Sequence, residues 1–421
     1  MPLSRITSAS IANSAVAAAD IADGTITAAK IVSIANTQIT GNIVSSQITS
    51  VANTQLTGTI TGSQISSNTL SNTVFQTGSV ENYMRANNLD FGLRNRIING
   101  AMQISQRGTS FTGLTDDGGQ YTLDRWRWSE NGTMDGAQAV TQDSSANTVA
   151  GFTNSLKVQT TTAKAALGTS LSCRVEQFIE GLNTYDLAWG TANAKAITIS
   201  FWVRSSLTGT HGGSIRNSAD DRSYPFSYTI VAADTWEQKI ITIPGDTTGT
   251  WLTTNGTGLR LTFSLGAGTS LSGPANTWAA AGYQNVTGAV SVIGTLNATW
   301  YITGVQLEEG SQATPFEYRH HSKELSLCQR YYEVFLLGAT GAPQNLFLSG
   351  VLTGANCTHT CYFKTTKRTD PSWAAVGGAA WQNTPNNSTT SKDCAIFQNT
   401  TSGYFYLGSG VNEGAGFSAE L

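Results

Sequence analysis

The chain has 421 residues, 39% apolar and only 12% charged, about half the usual charged share. Ser, Thr, Asn, Gln and Gly fill the deficit, which suits turn-rich β-structure and excludes a helical bundle with Lys- and Glu-rich faces. A formal net charge of −3 gives no basic footprint for nucleic acid, and no apolar run approaches the roughly 18 residues of a membrane span, so neither partner is expected.

MPLSRITSAS at the N-terminus lacks the basic and apolar regions of a signal peptide. Cys173, Cys328, Cys357, Cys361 and Cys394 are too few and too scattered for a disulfide framework. Read as small buried residues, they complete no ligand set with the histidines, and neither metal nor cofactor is expected.

Residues 1–74 contain no aromatic residue and four charges, Arg5, Asp20, Asp23 and Lys30. Apolar residues fall every five positions at Ile6, Ile11, Val16, Ile21, Ile26 and Ile31, a spacing that fits neither a helix nor a strand. Two 17-residue units follow, IANTQITGNIVSSQITS (34–50) and VANTQLTGTITGSQISS (51–67), with Ile39, Ile48, Leu56 and Ile65 at matching places. Such a period marks a repeat architecture. One thread buries too little apolar area to offset its ordering entropy. Three threads around an axis bury enough, so a repetitive trimeric β shaft is expected, with these ten residues in its core. Two readings compete. A single-chain pentapeptide coil would span hardly more than one turn, and a disordered linker does not explain the regular apolar spacing.

The stretch IADGTITAAKI (21–31) resembles the shaft repeats of bacteriophage tail-fibre proteins, and the resemblance implies an intertwined three-chain shaft. Residues 75–95 bring in aromatics and charges and read as a neck, with a short helix near Val80–Asn87.

NRIINGAMQISQRGTSF (95–111), followed by YTLDRWRW (121–128), resembles the opening of a β-sandwich domain recurrent in phage tail-fibre and tail-associated proteins; TWYITGVQLEEGSQATPFEYR (299–319) resembles its close. The residue pattern agrees. Ala196–Val203, Ser227–Val231, Glu237–Ile243, Gly258–Leu265 and Thr299–Leu307 are β-branched or aromatic runs between Gly, Pro, Asn and Asp clusters. That pattern predicts an antiparallel, jelly-roll-like sandwich over 96–332. Ile197, Ile199, Phe201 and Val203 share one strand face, with Trp202 and Arg204 on the other. Trp126 and Trp128 read as a packing pair, with Asp124 and Arg125 bonded locally. Such sandwiches resemble carbohydrate-binding modules, in which sugar rings stack on exposed Trp or Tyr. Trp189, Trp202, Trp236, Trp251 and Trp278 are the aromatics to weigh, and Trp251 and Trp278 are retained as sugar-binding candidates; core or subunit packing is the alternative for each.

HHSKELSLCQRYY (320–332) places Leu325, Cys328, Tyr331 and Tyr332 at helical spacing, and its adjacent histidines read as linker or cap. Residues 333–421 form a small C-terminal β-sandwich tip, with strands near Gln344–Leu352, Cys357–Lys364, Cys394–Gln398 and Gly403–Leu407. KTTKRTDPSW (364–373) resembles a turn in the terminal sandwich of similar fibre proteins, which implies a host-contacting tip. Its candidates for carbohydrate contact are Trp373, Trp381, Tyr404 and Tyr406.

The expected protein is therefore a mainly β, homotrimeric, structural virion component: a tail fibre made in the host bacterial cytoplasm. Its N-terminal region would join other tail or baseplate proteins, and its C-terminal domains would bind a host surface glycan. A head or neck fibre, or an adaptor joining virion parts, is a second reading; a glycan depolymerase is a third. No enzyme is expected. Asp116/Asp117, Asp220/Asp221 and Glu308/Glu309 are sequence neighbours, whereas glycoside hydrolysis needs two carboxylates facing each other across a cleft. No nucleophile elbow, phosphate loop or H-E-x-x-H motif occurs.

Overall fold

The computed structural model describes residues 93–336 apart from 116–118, 133–134 and 146–148, and, towards the C-terminus, 357–376, 381–382, 387–399, 406–407 and 414–421. The shaft positions from Ile6 to Ile65, the neck helix, Gln344–Leu352 and Tyr404 lie outside the described residues. The strands of the first part are β1 (Ser110–Leu114), β2 (Gln120–Tyr121), β3 (Arg127–Asn131), β4 (Ala137–Asp143), β5 (Ser155–Thr162), β6 (Ser172–Glu180), β7 (Ile197–Ser205), β8 (Gly209–Arg216), β9 (Ser223–Ile230), β10 (Glu237–Ile243), β11 (Thr257–Ala267), β12 (Ser272–Gly273), β13 (Asn285–Val286) and β14 (Thr299–Glu309).

Two six-stranded antiparallel sheets form a sandwich, one in the order β1-β4-β5-β14-β7-β10 and the other β2-β3-β6-β11-β8-β9. Period-two patterning drives their packing. Ile197, Ile199, Phe201 and Val203 of β7 are fully buried, as are Leu261, Phe263 and Leu265 of β11. Phe263 stands at the centre of the core, with ring centroids 5.0 Å from Phe201, 5.8 Å from Trp300 and 6.1 Å from Phe226. Each such side chain contributes about 1.5–3 kcal/mol by leaving water. The buried indoles also satisfy their N–H groups: Trp126 donates to the Asn99 carbonyl, Trp128 to Gln138 Oε1 and Trp300 to the Tyr228 hydroxyl.

The segment that opens the domain is bonded to the strand that closes it. β14 bulges between Thr303 and Gln306, with Gly304 at φ +60°. Into this bulge fits residue 95 and its neighbours. Asn95 Nδ2 donates to the Val305 carbonyl, Asn95 Oδ1 accepts from the Leu307 amide, and Arg96 N donates to the Leu307 carbonyl. A β-carbon on Gly100 would collide with the Val305 carbonyl oxygen. Asn99, at φ +58°, then turns the chain and holds the Ile104 amide and the Asp124 carbonyl through its side chain.

Helix α1 (His321–Gln329) is capped by His320, whose side chain accepts from the Ser322 amide; Cys328 and Tyr331 are buried beneath it. The C-terminal strands are β15 (Tyr332–Leu336), β16 (Cys357–Tyr362), β17 (Ser372–Val376), β18 (Trp381–Gln382), β19 (Asn387–Thr390), β20 (Cys394–Asn399), β21 (Tyr406–Leu407) and β22 (Gly414–Ser418). They pair as β15-β22-β17, β16-β20-β19 and β18-β21, around a second core of Phe363, Phe397 and Phe417. Polar contacts tie this part to the main sandwich. Arg125 pairs with Glu420, Tyr121 donates to the Leu421 carbonyl, and Arg330 and Tyr331 both donate to Glu180.

One local expectation fails. Asp124 and Arg125 do not bond each other: Asp124 accepts from Gln106, while Arg125 reaches Glu420 and the Phe178 carbonyl. Arg125 has φ +69°, and this left-handed turn separates the two side chains.

Candidate functional site

Two long connectors meet at one corner of the sandwich. The first, between β6 and β7, folds into short 3-10 turns at Gly181–Asn183 and Tyr185–Leu187 and leaves through Ala188 at φ +53°. The second joins β10 to β11. Their backbones touch: Gly190 N donates to the Asp246 carbonyl, and Gly190 leaves no room for a side chain beside the Gly249 carbonyl. This contact brings Trp189 to Trp251, and Trp278 joins them from the connector between β12 and β13. Trp189 lies 4.7 Å from Trp251 and 5.4 Å from Trp278, and Trp251 lies 5.7 Å from Trp278, all edge-to-face. Each indole N–H is committed to a carbonyl, of Lys195, Thr248 and Pro244 respectively. The cluster therefore offers ring surface rather than hydrogen-bond donors.

A cleft of about 280 Å³ opens beside it, walled by Tyr185, Trp189, Trp251 and Leu252. Trp189 is buried, but Tyr185 is 63% exposed. Tyr185 also lines a second cleft, of about 300 Å³, with Arg96, Asp186 and Arg319. Arg96 grips Asp186 with two hydrogen bonds of 2.8 and 2.6 Å. Partial burial pushes the Asp186 carboxyl up, but the Arg96 fork outweighs it and holds the group below its ordinary value. An exposed aromatic ring beside a charged fork matches the needs of a sugar, whose C–H face stacks while its hydroxyls are hydrogen-bonded.

The structure places Trp251 and Trp278 in this corner, both half-buried. Trp373 is elsewhere, edge-on to Phe397 at 5.3 Å, with its indole N–H donating to Ser388 Oγ. Trp381 and Tyr406 lie on the paired strands β18 and β21. Trp202 lies on the outer face of β7, and Trp236 packs on Tyr301 at 6.2 Å. Sequence reasoning missed Tyr185 and the Arg96–Asp186 fork. The available signal was a tyrosine in the polar turn NTYDLAWG, where no core-facing period claims it.

The acid pairs take different roles. Glu308 is buried, paired with Arg94 and bonded to Thr314, whereas Glu309 turns outward to Lys195. Asp220 bridges Arg216 and Arg260, each at 2.6 Å, while Asp221 accepts from Asn217. Glu176 is partnered by Ser129, Arg174 and Arg216, with Arg127 at 3.9 Å. Burial pushes it up, but Arg174 and Arg216, the Ser129 hydroxyl and Arg127 overcome this and bring it down to about 2.

No family model matches the chain, and no curated protein does. Solved structures with some likeness include the enzymatically active domain of bacteriophage CBA120 tailspike protein 4, at 12% identity and a TM-score of 0.26 over 51% of this chain. The aligned part spans only 21% of that tailspike chain. A family 11 carbohydrate-binding module from Clostridium thermocellum, in complex with a mixed-linked tetrasaccharide, gives 12% identity and 0.24, covering 49% of this chain and 99% of the module. The N-terminal cellulose-binding domain of a Cellulomonas fimi glucanase gives 15% and 0.24, covering 49% and 98%. None of these likenesses assigns a ligand to this chain.

Proposed function

We propose that this chain is a non-catalytic, homotrimeric tail fibre of a phage virion that attaches to a host surface glycan. The observation that carries the binding part is the exposed Tyr185 ring, which lines both an aromatic-walled cleft and the cleft that holds the Arg96–Asp186 fork. An exposed Tyr ring beside a partly buried Trp cluster suits the stacking of a sugar face. The virion part is supported by the shaft repeats and by the resemblance of residues 95–128 and 299–319 to tail-fibre sandwich domains. Other tail or baseplate proteins would meet the N-terminal region. The structural commitments of Glu308 and Glu309 support the non-catalytic reading.

A glycan array probed with the full chain tests it, followed by block of phage adsorption. Tyr185→Ala is expected to weaken glycan binding by more than about 1 kcal/mol, as truncation of an aromatic anchor does in a contact surface, with unchanged folding. A chain that binds no glycan and blocks no adsorption leaves an adaptor between virion parts as the better reading. Release of reducing ends from host polysaccharide would instead establish a depolymerase.

A further inference from the structure

The two clefts that share Tyr185 differ in chemistry. One carries Arg96, Asp186 and Arg319 together with Asn95 and Asn183, and so presents charged and amide groups to a ligand. The other, of about 280 Å³, is lined by no charged residue. Leu187, Trp189 and Leu259 are buried along it, while Leu252, 36% exposed, and Tyr185 keep it open to solvent.

The polar groups of this apolar cleft are already engaged. The indole N–H groups of Trp189 and Trp251 donate to the Lys195 and Thr248 carbonyls. The Thr184 hydroxyl donates to the Gly181 carbonyl, and the Thr191 hydroxyl to the Ala188 carbonyl. The amides of Thr184, Leu187 and Ala188 are spent within the 3-10 turns, on the carbonyls of Gly181, Thr184 and Tyr185. The other polar side chains, Thr253 and Tyr185, are exposed. A ligand hydroxyl drawn inside would give up water and meet no idle donor, and a polar group buried without a partner is costly. A methyl group gains by the same move.

We infer that this cleft selects a 6-deoxyhexose of a surface polysaccharide, a sugar that carries a methyl group where the parent hexose carries a hydroxymethyl. The methyl enters against Trp189, Trp251 and Leu252, and the ring hydroxyls stay outside the apolar wall. This deepens the glycan-binding reading and rests on it. An acetyl group also ends in a methyl, but it brings a carbonyl oxygen that needs a donor, and the donors of this cleft are committed. The methyl of a 6-deoxyhexose brings no such need.

The test measures binding of the full chain to polymer-linked glycosides in matched pairs: L-rhamnose with L-mannose, and L-fucose with L-galactose. Members of a pair differ only in the hydroxyl at carbon 6. N-acetylglucosamine with glucose forms a third pair. In at least one of the first two pairs the deoxy member is expected to bind about tenfold or more tighter, the discrimination that one methyl group in an apolar pocket provides. Leu252→Asn is expected to bring that ratio close to one, whereas Leu252→Met, which keeps an apolar side chain of similar volume, preserves it; a thermal melt checks that both fold. Equal binding within both deoxy pairs, or a ratio that survives Leu252→Asn, overturns the inference, and Tyr185-dependent binding of the parent hexoses would leave the glycan reading standing. A larger ratio in the acetylated pair overturns the assignment to a 6-deoxyhexose. Binding of no conjugate overturns the inference, and an empty glycan array takes the glycan reading with it.

Discussion

At Gly100 the chain has no room for a β-carbon, because the Val305 carbonyl fills that space. Gly100→Ala must therefore displace the bulge of β14, and overpacking of this kind costs about 1–3 kcal/mol. A lowered urea midpoint with an unchanged slope is the expected reading. Trp189 and Tyr185, four residues apart, behave oppositely. Trp189 is 8% exposed and touches both Trp251 and Trp278, so Trp189→Ala costs about 3–5 kcal/mol. Tyr185→Ala stays within roughly 0.5 kcal/mol of the parent and shows its effect in glycan binding alone. Equal destabilisation by the two would mean that Tyr185 is a packing residue.

Among the elements, the second sheet ties stability to pH through Glu176. Its folded value of about 2 lies below the ordinary 4.5, so its network contributes fully above pH 4.5 and is lost as pH falls towards 2. Denaturation followed across that window should show an acid limb, and Glu176→Gln should flatten it while lowering stability at neutral pH. In the C-terminal part, Lys367, on the connector between β16 and β17, and Glu333 of β15 form a fully buried pair at 2.5 Å. Burial pulls the Lys367 amine down from its ordinary value and the Glu333 carboxylate pushes it back. Removing one partner strands the other charge, so Glu333→Leu should cost about 3–5 kcal/mol, and adding Lys367→Met should recover much of it. A double variant as unstable as the single one would show that the pair is replaceable by nothing of similar shape.

For the whole molecule, the expected mass in solution is that of a trimer. The argument is the shortage of apolar residues in 1–74, where six pentads and two 17-residue units provide one Ile, Val or Leu per pentad and little else to bury. Light scattering after size exclusion measures this directly, and a stable monomer at micromolar concentration would refute it. Asp substitution at both Ile21 and Ile26 should lower the trimer fraction without altering the fold of 95–421, because an unpaired charge on a threefold axis meets two copies of itself.

The mainly β class, the boundaries of strands such as Glu237–Ile243, and the inward face of β7 were all legible in the sequence, because they depend on period-two patterning and turn residues, which are local. The pairing of residues 95–100 with β14 was half legible: both segments stood out, but that they touch depends on a bulge only the folded sheet contains. Tyr185 left one local signal, a tyrosine in a polar turn, whereas the Trp189–Trp251–Trp278 cluster and the placement of Arg216 opposite Arg260 were decided by tertiary structure alone. Each joins residues from separate connectors or strands, and nothing local distinguishes an Arg opposite another Arg from one facing water.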